Sequence, residues 1–197
     1  MRTLTYYVGT TIDGFIAGPG DEVDFYPVGG DLVDWFVSDI PDVLPTHVRA
    51  RLGVADVANT RFDTVIQGRR TYEPALAAGI TSPYAHLRQY VVSRSMTRSP
   101  DPAVRIVSGD ALEAVRALKA EDGLGVYLAG GAALAGALLP EIDELVVKLY
   151  PVVAGSGVPL FTADFSPRHF ALAGSRVFDS GVVVLTYTRA PGGAASA

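Results

Sequence analysis

Along this chain, short runs of β-branched and aromatic residues alternate with longer stretches of helical periodicity. No other feature constrains the fold as tightly, because a strand that feeds a crossover helix returns parallel to its neighbour and lays that helix on the sheet. The strand runs cover residues 3–8, 64–67, 89–92, 105–107, 125–128, 144–150, 169–177 and 182–188. The helical stretches cover residues 31–38, 44–53, 70–78, 110–121 and 132–139. The stretch 110–121 is the clearest, with Leu112, Val115 and Leu118 on one face and Glu113, Arg116 and Lys119 on the other. The last two strand runs are separated only by Phe178-Asp179-Ser180-Gly181, so an antiparallel hairpin is expected at one edge of an otherwise parallel sheet.

Composition narrows the function classes. The 197 residues fit one domain over 1–190, with a tail at 191–197 of small residues that is expected to be disordered. The absence of cysteine excludes a disulfide scaffold, a thiolate metal site and a catalytic cysteine. His47, His86 and His169 lack metal-ligand spacing, so no metal is expected. A net charge of -5 speaks against nucleic acid, which requires a basic face. Small anions remain open, since backbone amides and a few arginines bind phosphate on an acidic protein. Mean hydropathy is high at +0.27, yet no run reaches the roughly 18 apolar residues of a membrane span, so the apolar residues belong to a large core. The opening residues 1–9 read as a strand rather than a secretory signal, and a cytoplasmic location is expected. G-x-S-x-G, H-E-x-x-H and P-loop motifs are absent.

Three segments carry candidate chemistry. In Thr64-Val65-Ile66-Gln67-Gly68-Arg69-Arg70-Thr71-Tyr72-Glu73 an apolar strand meets a glycine, and a helix opens with two arginines and a threonine. Free helix-start amides beside guanidinium groups suit a phosphate, although a plain turn with solvated arginines fits the pattern as well. In Val126-Tyr127-Leu128-Ala129-Gly130-Gly131-Ala132-Ala133-Leu134 a second strand meets two glycines before a small-residue helix, where a backbone can approach a ligand or a helix can pack closely. Two such turns in one sheet suggest a ligand with two or more phosphates across the strand ends. In Tyr90-Val91-Val92-Ser93-Arg94-Ser95 a strand runs into hydroxyls and a guanidinium, which suit a phosphomonoester; alone, such a segment is more often a solvated loop. Gly155-Ser156-Gly157 starts like a dinucleotide fingerprint, but Leu160 replaces its third glycine and no helix follows. Residues 10–30 form the longest irregular segment, and its Asp21, Glu22 and Asp24 read as solvated charge.

The motifs Thr11-Ile12-Asp13-Gly14-Phe15-Ile16-Ala17, Val65 to Glu73, Val91 to Ser95, and Ala129 to Pro140 followed by Ile142-Asp143-Glu144-Leu145 resemble the dihydrofolate reductase superfamily. Pro151-Val152-Val153-Ala154-Gly155-Ser156-Gly157-Val158-Pro159-Leu160-Phe161 is similar to the reductase half of the bifunctional deaminase-reductase of riboflavin biosynthesis and its stand-alone bacterial relatives. The resemblance runs from Leu4 to about Thr188. It implies an α/β, three-layer αβα fold with a mostly parallel sheet and an antiparallel C-terminal hairpin. It also implies an oxidoreductase that uses NADPH to reduce a C=N or C=O of a small heterocyclic or sugar-linked substrate. The nearest activity in that branch acts on 5-amino-6-(5-phosphoribosylamino)uracil; a true dihydrofolate reductase and a non-catalytic NADP(H)-binding protein are the alternatives. Carried over by position, Gly68, Arg69, Arg70 and Thr71 hold the cofactor phosphates, and Ser93, Arg94 and Ser95 the adenosine end with its 2′-phosphate. Gly130, Gly131, Ala132 and Ala133 meet the pyrophosphate and nicotinamide side, while Thr10, Asp13 and Gly14 belong to the loop over the nicotinamide. A homodimer is expected from the branch.

On the substrate side the pattern departs from folate reductases. Asp31-Leu32-Val33-Asp34-Trp35-Phe36 resembles the helix that carries their carboxylic acid; an ungapped alignment puts Leu32 at its position and a one-residue insertion puts Asp31 there. Asp31 is alternatively a helix cap. Lys148 stands where a threonine bonds that acid, and can bind a substrate anion, pair with Asp31, or keep its head in water. Ala135 replaces an aromatic residue beside the nicotinamide, leaving more room. Asp31 and Lys148 are the catalytic candidates.

Overall fold

Local chemistry places the elements. The Asp110 carboxylate accepts the amides of Leu112 (2.7 Å) and Glu113 (3.4 Å) and so starts helix α4, Ala111–Ala120. Gly68 and Gly131 precede helices α3 (Arg69–Ala77) and α5 (Ala132–Leu138) without any side-chain cap. The computed structural model describes residues 1–190, and the expected tail at 191–197 lies outside the described residues. Helices α1 (Asp31–Asp39) and α2 (Thr46–Arg51) complete the set. The strands are β1 (Leu4–Thr10), β2 (Phe15–Ala17), β3 (Phe62–Gly68), β4 (Arg88–Val92), β5 (Val104–Val107), β6 (Gly125–Gly130), β7 (Glu144–Leu149), β8 (Val158–Pro159), β9 (Phe170–Val177) and β10 (Val183–Arg189).

Eight strands form one sheet in the order β5-β4-β3-β6-β1-β7-β10-β9. Pairing is parallel from β5 through β7, whereas β10 runs antiparallel to both β7 and β9. The mixed sheet and the C-terminal hairpin match expectation. Period-2 alternation gives the sheet two apolar faces. Tyr7, Val65, Tyr127 and Val146 pack with Leu32, Trp35 and Phe36 of α1 on one face. Tyr6, Val8, Ile66 and Leu128 pack with Val115 and Leu118 of α4 and Leu134 and Leu138 of α5 on the other. The result is the three-layer architecture of the dihydrofolate reductase-like fold. Each fully buried Leu or Phe side chain contributes about 1.5–3 kcal/mol by leaving water.

Two elements differ from the sequence reading. The helix expected over 44–53 is a 3₁₀ turn at Pro41–Val43 followed by α2, because Pro45 has no amide to donate and sits just ahead of the first helical turn. The segment 10–30 holds β2, which pairs antiparallel with β8 (Phe15 with Pro159, Ala17 with Val158). Strands of three and two residues are too short to show a period.

Topology sets the site. The chain leaves β1 for β3, continues outward to β4 and β5, returns to insert β6 between β3 and β1, and crosses to β7 beyond β1. Connections therefore diverge beside the carboxyl ends of β3, β6 and β1, which is where open α/β sheets bind ligands.

Candidate functional site

The two glycine turns form one surface. Gly130 adopts φ +120°, a conformation side chains rarely allow, and the Gly130–Gly131 peptide is cis. A Cβ on Gly68 would lie 3.7 Å from the Gly131 nitrogen and 3.8 Å from the Gly130 oxygen. Cβ atoms on Gly130 and Gly131 would sit 3.7 and 3.6 Å from the Thr71 hydroxyl. Bare backbone from β3 and β6, the uncapped start of α3 and one hydroxyl thus converge, and the combination suits an anion. Ala132 is buried and Ala133 exposed, and the Ala132 carbonyl is taken by the Thr162 amide (3.1 Å).

The adenosine-side residues adjoin this surface. Arg69 donates through Nη1 to the Ser95 hydroxyl (2.6 Å) and contacts Glu73 at 3.1 Å. Ser93 is buried, and its hydroxyl accepts the amides of Ser95 (3.3 Å) and Met96 (2.8 Å), so it shapes the turn. Arg94 and Ser95 are exposed. Arg70 instead reaches the long loop, with Nε and Nη2 donating to Asp21 at 3.0 and 2.7 Å. Asp21, read from sequence as solvated charge, is an ion-pair partner, because the loop folds back over the start of α3.

Thr10, Asp13 and Gly14 build the turn after β1. The Thr10 hydroxyl is buried, with the carbonyls of Thr11 and Phe15 each at 3.3 Å. Gly14, at φ +87°, donates to Thr11 and accepts the Leu160 amide. Asp13 accepts the Thr11 hydroxyl (2.6 Å) and the amides of Ala154 (3.1 Å) and Gly155 (2.7 Å). Led by the Thr11 hydrogen bond, these contacts lower its pKa to about 2.

Asp31 and Lys148 do not meet. Asp31 is the first residue of α1, after Gly30, and its carboxylate accepts the Asp179 amide of the C-terminal hairpin (2.9 Å). It is therefore neither cap nor partner to Lys148, and no ion pair joins the two among the described residues. Leu32 is fully buried on the α1 face of the sheet. The Lys148 amine lies 4.4 Å from the Tyr7 ring centre and 5.3 Å from that of Phe36, and burial lowers its pKa to about 8. Ala135 opens no space by the site: it is fully buried in the core, because α5 turns that face onto the sheet.

Other residues of interest escaped the sequence reading. The Tyr7 hydroxyl and the Gln67 side-chain nitrogen are buried with no hydrogen-bond partner among the described residues. Tyr26 donates to the Phe15 carbonyl (2.8 Å) and packs at a tilt against Tyr150, with ring centres 4.5 Å apart. The alternation of β1, which puts Tyr7 and Gly9 on one face, was the available signal.

Fold and site define a dihydrofolate reductase-like α/β protein with an anion-suited crevice at its strand ends. A model of the RibD C-terminal domain matches residues 2–184, and the chain belongs to that family. It is 31% identical over 191 residues to protein YwjB of Bacillus subtilis (strain 168), spanning 96% of this chain and 99% of that one. It is 28% identical to protein YyaP of the same organism, over 95% of both chains. A putative riboflavin biosynthesis protein from Shewanella sp. PV-4 superposes with a TM-score of 0.73 at 25% identity, over 97% of this chain and all of the other. At the level of fold, a dihydrofolate reductase from Enterococcus faecalis complexed with NADP(H) superposes with a TM-score of 0.62 at 16% identity, over 96% and 97%. No helix among the described residues is long and apolar enough to cross a membrane.

Proposed function

We propose that the protein is an NADPH-dependent reductase of a small heterocyclic or sugar-linked substrate, most like 5-amino-6-(5-phosphoribosylamino)uracil. The observation that carries this reading is the meeting of Gly68, Gly130, Gly131 and Thr71 at adjacent strand ends, beside the Arg69–Ser95 bond. Family membership and the NADP(H)-bound Enterococcus reductase of the same fold support it. The crevice fits the cofactor, since a bulky side chain at any of these glycines would fill the space where phosphates approach amides. Gly68 to Thr71 and Gly130 to Ala133 would hold the phosphates, and Ser93, Arg94 and Ser95 the 2′-phosphate. The turn through Thr10, Asp13 and Gly14 would border the nicotinamide. NADPH supplies the hydride; the chain's own work is to orient the substrate and deliver a proton. Asp31 and Lys148 are the substrate-side residues in this reading, and a homodimer in the cytoplasm is its expected form.

Titration of NADPH and NADH against the fluorescence of Trp35, the single tryptophan, tests the reading. NADPH should bind in the micromolar range and more tightly than NADH. Arg94→Ala should weaken NADPH about tenfold, equivalent to about 1.4 kcal/mol, and leave NADH nearly unchanged. Absence of NADPH binding would sink the proposal, and equal effects on both cofactors would remove Arg94 from it.

A further inference from the structure

Lys148 occupies an unusual place. The chain has two lysines, and the other, Lys119, is tied to Glu141 (3.4 Å) and Asp143 (2.8 Å). Lys148 has no carboxylate within ion-pair reach and no hydrogen-bond acceptor among the described residues. Strand register sets it opposite Gly9 of β1 on one side and Val184 of β10 on the other. A Cβ on Gly9 would lie 3.8 Å from Lys148 Cε and 3.0 Å from Cε2 of Tyr150, so the lysine stem lies across a strand position that has no side chain. The β1–β6 register runs to Tyr6 with Leu128, beyond which β6 shifts register at Ala129 and turns at Gly130–Gly131, so Gly9 lies toward the same carboxyl end of the sheet as that turn. Lys148, the next-to-last residue of β7, thus sits toward the end of the sheet that carries the turn proposed to meet the nicotinamide.

The surroundings suit proton transfer rather than a fixed charge. The faces toward the amine are the rings of Tyr7 from β1 and Phe36 from α1, with Tyr150 just past the end of β7 and Tyr26 packed against it. Asp31, the carboxylate at the start of α1, is occupied by the hairpin. Burial alone sets the amine's acidity, no charged neighbour contributing. The residue as a whole is half-buried rather than sealed in the core.

Resting on the reductase reading above, we propose that Lys148 is the proton donor of the reduction, its ammonium reaching the reacting C=N or C=O from the carboxyl end of β7. When hydride reaches the substrate carbon, the π pair of the double bond moves onto the nitrogen or oxygen. That atom takes one proton from Lys148: an N–H bond of the ammonium breaks, a new N–H or O–H bond forms on the product, and the neutral amine regains its proton from solvent. The ring faces attract the ammonium and hold it in place, while burial strips its water and favours release of the proton.

The test uses the whole chain labelled with ¹⁵N-lysine, which shows two side-chain signals. The Lys148 signal should titrate near pH 8, well below a free lysine. Saturating NADP⁺ carries a positive nicotinamide ring and should shift this midpoint lower than NADPH does; an equal midpoint with both cofactors overturns the assignment. With 5-amino-6-(5-phosphoribosylamino)uracil as probe, kcat should fall above about pH 8, and Lys148→Arg should lower kcat about 10²-fold with little change in KM. Full rescue by arginine would mark a merely positioning charge and also overturn the assignment. If Trp35 fluorescence shows no NADPH binding to the parent protein, the reductase reading itself fails. If NADPH binds and Lys148 does not respond, only the proton-donor role fails.

Discussion

Arg70 lies in the first turn of α3 with its guanidinium already bonded to Asp21, whereas Thr71 beside it faces the glycine surface. For Arg70 to meet a cofactor phosphate, this pair must open. Both side chains are well exposed, 67% and 39%, so the pair is worth only about 0.2–1 kcal/mol. Asp21→Asn should therefore tighten NADPH binding by about 1.5- to 5-fold, since each 1.4 kcal/mol is tenfold. The gain should shrink in high salt, which screens an exposed pair. Comparative titration of the two proteins measures it, and weaker binding by the variant would show that Asp21 helps the cofactor rather than competes with it.

At the scale of elements, the clasp between the turn after β1 and the segment 151–161 holds the crevice wall. β2 pairs with β8, the Tyr6 hydroxyl donates to the Leu160 carbonyl (3.1 Å), and Asp13 binds the amides of Ala154 and Gly155. Gly157, at φ +154°, passes so close to the Ala17 carbonyl that a side chain there would collide. Because the folded pKa of Asp13 lies below its unfolded value, its contribution is full above about pH 4 and is lost as pH falls through about 2. Asp13→Asn should loosen this segment at pH 7, seen as faster hydrogen exchange at Ala154 and Gly155. The difference from the parent should close between pH 4 and pH 2; a gap that persists to pH 2 would exclude the carboxylate as its cause. The clasp also shows what a sequence reveals. Long periodic elements were legible, and so were the glycines that end β3 and β6, because both are local signals. The pairing of Asp13 with 154–155, of Arg70 with Asp21, and of Asp31 with Asp179 was not, since topology alone brings those positions together. Asp42 is the same case: fully buried, it accepts the amides of Thr60, Arg61 and Phe62 at 3.1, 2.7 and 2.9 Å from far along the chain.

For the molecule as a whole, the two sheet edges are unequal. β5 is four residues long with its first residue buried, whereas β9 has eight residues, seven of them exposed, including Leu172 at 57% and Val177 at 72%. A register shift between Thr186 and Tyr187 leaves Ala173 unpaired and bends β9, and Arg176 is its only charge. A long edge with so little charge is poorly protected against pairing with another chain. Together with the dimer expected from the family resemblance, this points to a second copy of the chain on β9. The crevice at β3, β6 and β1 lies at least two strands away, so assembly and cofactor binding should be separable. Light scattering should give twice the 20.7 kDa chain mass for the parent protein. Leu172→Lys, which puts a charge on the exposed edge, should return the protein to 20.7 kDa while NADPH titrates as before. A parent protein of single-chain mass at tens of micromolar would remove the dimer, and a dimeric Leu172→Lys protein would place its interface elsewhere.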